Sequence, residues 1–140
     1  MQTTARLAEL IRKKHRVLVQ LREVGQRQTD LVTSGDIASL LKLLSAKQQL
    51  ISALHGLEHE LTPYYAEDPE RRVWSSAQDR ARCAQEATEC NTLLEDIVRL
   101  EKSGAERIIA RRDEVAEQLQ QVHAATYVRS AYEAQRASRA

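Results

Sequence analysis

Phenylalanine is absent from this 140-residue chain, and turn-forming and aromatic residues are scarce, with four Gly, two Pro, one Trp and four Tyr. A sandwich, a barrel or a doubly wound α/β fold needs frequent turns and sheets filled by β-branched and aromatic side chains. Those classes are excluded. Nor does any run approach the ~18 consecutive apolar residues of a membrane span. The opening MQTTARLAELIRKKHR does not follow the charged-then-apolar order of a secretion signal. The expectation is a cytoplasmic protein with no membrane insertion.

Charge of one sign is also missing. Twenty-one Lys/Arg face twenty Asp/Glu for a net +1, so no whole-chain field calls for nucleic acid or an anionic membrane. Residues 1–34 nevertheless hold seven basic and three acidic side chains. The cluster Arg12-Lys13-Lys14-His15-Arg16 points all round a helix, with no aromatic nearby for base stacking. It is read as a solvated face. Cys83 and Cys90 are the only cysteines. Seven residues apart on a helix they stand about 10 Å from one another, beyond bridging reach, and are expected to be buried free thiols.

What the chain does have is Ala, Leu, Arg, Glu and Gln, the residues of helices. Leu10, Val17, Val24 and Leu31 form a heptad row, with Ile11, Leu18 and Val32 beside it. Leu7 and Leu21 complete the stripe, interrupted by Lys14 and Gln28 in the same row. This predicts a helix over about 4–33. Ser34-Gly35 ends it, and Asp36 caps a second helix over about 37–61. That helix carries Ile37, Leu40, Leu41, Leu44, Ile51, Leu54 and Leu61, widened by Leu43, Leu50 and Leu57. Its broad apolar face demands at least one more helix across the hairpin.

Pro63 is expected to end the second helix, leaving 62–68 as a loop. Asp68, Pro69 and Glu70 then form a helix start, and a third helix is expected over about 69–127, followed by a tail over 128–140. Ser103-Gly104-Ala105-Glu106 has the form of a capping box. The seven-residue spacing of Ala87, Leu94, Ile108, Val115 and Val122 persists across Gly104, which favours continuity. The fold class is therefore all-α, a single helical domain 1–140 forming an antiparallel three-helix bundle or coiled coil with a long third helix. The first two helices would span about 45 and 38 Å, the third nearly 90 Å. The uncovered part should be its C-terminal half, where Ile108, Ile109, Val115, Leu119 and Val122 form an apolar face that needs a partner.

Catalytic chemistry has no visible residues. His55 and His59 share a helix face at a spacing some zinc sites use, but no third ligand matches, so they are read as solvated. No phosphate loop, nucleophile elbow or Cys-His-Asn constellation can be assembled. Enzyme, cofactor and metal roles are not expected. Pairs such as Arg111 and Arg112 with Glu114 and Glu117 are usual for exposed helices. Tyr127 and Tyr132, in Ala-Ala-Thr-Tyr-Val-Arg-Ser-Ala-Tyr, are either anchors for another protein or the closure of the bundle's end.

The hairpin Leu31-Val-Thr-Ser-Gly-Asp36 followed by Leu40, Leu44, Lys47, Leu50, Leu54 and Glu58, the segment Arg107-Ile-Ile-Ala-Arg-Arg-Asp-Glu-Val-Ala-Glu-Gln-Leu119 and the late Tyr resemble the FlgN family of flagellar export chaperones. The resemblance implies a cytosolic chaperone, without catalysis, that holds C-terminal segments of hook–filament junction proteins and hands them to the flagellar type III export gate. It would place the client around Ile108, Val115, Leu119 and Val122, and the gate contact at Tyr127 or Tyr132. The other reading of the same face is self-association, a coiled-coil homodimer serving as scaffold or adaptor with no client.

Overall fold

A computed structural model describes residues 3–139, so Met1, Gln2 and Ala140 lie outside the described residues. The described chain is an all-α helical bundle of three helices, α1 (Thr4–Ser34), α2 (Ile37–Tyr65) and α3 (Ala77–Arg139), with a short 3-10 turn at Pro69–Arg71. It divides into two compact units, Met1–Gly104 and Ala105–Ala140, where the sequence suggests one domain.

In the first unit, Thr3 caps α1 by accepting from the Arg6 amide, and Gly35 ends it at φ 75° with its N–H on the Leu31 carbonyl at 3.0 Å. That left-handed conformation favours glycine, which carries no Cβ to clash. Asp36 then accepts from the Ser39 amide at 3.1 Å and starts α2. Of the seam residues of α1, Leu7, Leu10, Ile11, Leu18 and Leu21 are buried, together with Lys14 and Gly25, while Val17, Val24, Leu31 and Val32 are half-buried. Leu7, Leu10 and Ile11 pack with Leu61, Tyr64 and Cys83, and Leu18 and Leu21 with Cys90 and Leu93. The pairs Arg12–Glu86, His15–Glu89 and Arg22–Asp96 rise together in number, so α3 here runs parallel to α1 and α2 antiparallel to both. At Gly25 the side chain of Leu100 of α3 packs close to the α1 backbone, since a Cβ there would lie 3.2 Å from Leu100 Cδ1.

Those pairs explain the charge asymmetry. Arg12 and His15 turn to carboxylates of α3, Lys14 meets Glu58 of α2 at 2.5 Å, and Lys13 lies 3.1 Å from Glu9. Of the cluster read as a solvated face, Arg12, Lys13 and Arg16 are exposed, whereas His15 is half-buried and Lys14 is buried because Glu58 of α2 supplies its counter-charge.

Several boundaries differ from those the sequence suggests. Pro63 does not end α2; it sits in the last turn of a helix that continues to Tyr65. Burial of Leu61 and Tyr64 against α1 holds that turn, which offsets the missing proline amide. Asp68 does cap Glu70 at 3.0 Å, yet the turn it starts is only the three-residue Pro69–Arg71. Arg72 then donates to the Tyr64 carbonyl at 2.6 Å, and Thr4 donates to the Val73 carbonyl at 2.8 Å. These contacts and the packing of Trp74 against the core hold the backbone out of helix until Ser76, whose hydroxyl accepts from the Asp79 amide and opens α3 at Ala77. The expected tail is helical through Arg139, in keeping with its Ala, Arg, Glu and Gln content. The face of α2 is less covered than its sequence suggests: only Leu61 and Tyr64 are buried, and Ile37, Leu41 and Leu44 are exposed.

Cys83 and Cys90 are free and buried. Burial, which penalises the thiolate, pushes Cys83 up and Cys90 from its ordinary 9.0 to about 11. Because the folded pKa of Cys90 exceeds the unfolded one, its contribution to stability is complete below about pH 9 and is lost as pH rises through about 11. Thermal melts from pH 8.5 to 11 are expected to show Tm falling with pH, and Cys90→Ala to flatten that slope. A slope identical in the variant would remove the thiol as its source.

Candidate functional site

Every residue from Ala105 to Ser138 is exposed. At 100° per residue, Ile108, Val115, Leu119 and Val122 fall within an arc of about 60° and extend about 21 Å along the helix. Their exposures are 48, 42, 55 and 61%, values that no core position of the first unit approaches. The stripe is narrow, apolar and wet, which costs free energy at about 25 cal/mol for each Å² that a partner could cover.

Its borders are basic. Arg112 lies about 40° to one side of Ile108 and Arg111 about 60° to the other, while Asp113 and Glu117 sit near the opposite face. Arg111 is 3.7 Å from Glu114 and Arg112 3.8 Å from Asp113. These pairs are exposed and contribute little, so the guanidinium groups remain available to an acidic segment.

Tyr127 and Tyr132, exposed to 76 and 62%, do not join the stripe. Tyr127 lies about 100° from Ile108 in one direction and Tyr132 about 120° in the other, and five residues of helix set the two rings about 140° apart. One flat partner cannot meet both tyrosines and the stripe together. Of the six residues singled out in the sequence, the helix groups four and separates two.

Two polar clusters in the first unit escape a reading of the sequence. Lys14 is 8% exposed; its ammonium meets Glu58 Oε1 at 2.5 Å and donates to the Tyr65 hydroxyl at 3.5 Å, while that hydroxyl donates to Glu58 Oε2 at 3.1 Å. Burial pulls the Lys14 pKa down, but the hydrogen bond to Glu58 and the neighbouring charges outweigh it, and the net shift is upward. Burial likewise pushes the Tyr65 hydroxyl up. The second cluster joins all three helices: Lys47 donates to Gln28 Oε1 at 3.2 Å and pairs with Glu101. The breaks at Lys14 and Gln28 in the seam were the signal, and each break is where a second helix supplies a partner.

His55 and His59 are exposed. Among the described residues no three His, Cys, Asp or Glu side chains gather as a metal would require, and no helix is long and apolar enough to cross a membrane. No family model, curated protein or solved structure matches this chain.

Proposed function

We propose that this chain is a cytoplasmic chaperone of flagellar export, similar to FlgN, that holds C-terminal segments of hook–filament junction proteins and passes them to the type III export gate. The observation that supports this reading is the exposed stripe of Ile108, Val115, Leu119 and Val122. A client segment that forms an amphipathic helix would lay its apolar side along the stripe, with acidic flanks beside Arg111 and Arg112. No catalysis is involved.

The test is titration of fluorescein-labelled C-terminal peptides of hook–filament junction proteins with the full chain, followed by anisotropy. Saturable binding in the micromolar range or tighter is expected, and its absence for every such peptide would end the reading. Because the tyrosines point 140° apart, only one of them is expected to serve the gate. In pull-downs with gate components, either Tyr127→Ala or Tyr132→Ala should reduce retention with peptide binding unchanged; full retention by both variants would remove the tyrosines from the mechanism.

The alternative reading, a self-associating scaffold, uses the same stripe. In a parallel homodimer Arg111 and Arg112 of both copies would border one seam, and like charges there disfavour pairing. Sedimentation velocity is expected to give a monomer at micromolar concentration. A dimer dispersed by Leu119→Asp would carry the scaffold reading instead.

A further inference from the structure

Gly104 is the one glycine of α3, and neither backbone nor packing calls for it. Gly35 needs its left-handed conformation, and Gly25 lies where a Cβ would crowd Leu100. Gly104 has no positive φ, and a Cβ there would meet nothing within 4 Å. In a helix interior glycine favours the helical state about fivefold less than alanine does. It is the residue of α3 least suited to a helix.

The two sides of Gly104 are held differently. Before it, α3 is fixed by tertiary contacts: Cys83, Cys90 and Leu93 are buried, Leu94 and Ile97 pack with them, and Glu101 pairs with Lys47 of α2. After it, every residue over 105–138 is exposed, and among the described residues the ion pairs there are Arg111–Glu114 and Arg112–Asp113, both local and exposed. A helix without tertiary packing is marginal in water, because its first turn is unfavourable by a factor of about a thousand. It escapes that cost only by continuing from a helix already in place. The packed part of α3 is that nucleus, and Gly104, the last residue of the first unit, is the step through which the helix must propagate.

We infer that Gly104 is a built-in break point: it lets the helix over 105–139 open while the first unit stays folded, and it sets the fraction of free chains in which the stripe of Ile108, Val115, Leu119 and Val122 is helical. Any partner that reads the stripe as a helical face binds only that fraction, so its apparent affinity falls in proportion. The break point acts in the free chain and does not rest on the identity of the partner.

Hydrogen exchange of the full chain without any partner, resolved amide by amide by NMR, tests this. Amides over 105–138 are expected to exchange at least roughly tenfold faster than those around Cys90 and Leu93, through an opening that leaves the latter protected. Gly104→Ala should raise protection over 105–138 by about two- to fivefold and leave that around Cys90 and Leu93 unchanged. Gly56→Ala is the same substitution at an exposed position of α2 where a Cβ also meets nothing within 4 Å, and it should do the reverse, slowing exchange in the first unit alone. Equal protection on the two sides of Gly104 in the wild type would overturn the inference. So would a Gly104→Ala variant whose second unit exchanges at the wild-type rate, or whose two units gain protection by the same factor.

Discussion

Leu119→Asp combined with Val122→Asp is expected to weaken capture of a hook–filament junction peptide by at least about a hundredfold, because each Asp would have to leave water on binding with no partner for its charge. The same double variant should melt within a degree or two of the wild type. Among the described residues the buried clusters lie on Leu7, Leu10, Ile11, Leu18, Leu21, Leu61, Tyr64, Cys83, Cys90 and Leu93, and neither substitution touches them. The cost to the helix itself is the lower propensity of Asp, a few tenths of a kcal/mol per site. Chemical denaturation and the anisotropy titration separate the two effects. A collapse of stability in the double variant would mean that the stripe is part of a core.

Glu58→Leu is expected to destabilise the first unit by about 1–3 kcal/mol. It leaves the ammonium of the buried Lys14 with only the Tyr65 hydroxyl at 3.5 Å, and an uncompensated charge out of water is costly. The lower part of that range reflects the Glu58 side chain, which is 37% exposed and partly screened. Lys14→Leu removes the charge and continues the Leu7–Leu21 seam, so its urea midpoint should equal or exceed that of the wild type. In the double variant most of the Glu58→Leu penalty should disappear. Additive losses in both single variants would show that the pair stabilises outright rather than fixing which faces meet.

The contrast between Lys14 and the hydrophobic stripes shows what a single sequence carries. Periodicity reports which side of a helix is apolar, so the helical class, the turn at Ser34-Gly35-Asp36 and the stripe at Ile108, Val115, Leu119 and Val122 could all be read. Partners distant in the chain could not. Nothing local to Lys14 names Glu58, and nothing local to Arg12 and Arg22 names Glu86 and Asp96. Local signals also overreached. Pro63 reads as a stop, but Tyr64 buried against α1 carries the helix past it. Asp68-Pro69-Glu70 reads as the start of a long helix, but Arg72 on the Tyr64 carbonyl and Thr4 on the Val73 carbonyl keep the chain out of helix until Ser76. In both places a tertiary contact outweighed a correct cap or breaker.

Exposure of the stripe on α3 underlies the proposed function, and the two native cysteines make it directly measurable. Both are buried, and that of Cys90 is held protonated up to about pH 11, so neither should react with a maleimide at neutral pH in the folded chain. In a Leu119→Cys variant the introduced thiol is expected to label at the rate of a free peptide thiol, with a single mass addition, independent of protein concentration, and to be protected by a client peptide. Slow labelling in the absence of a client, with the first unit folded, would show the stripe already covered and would contradict the proposed capture surface.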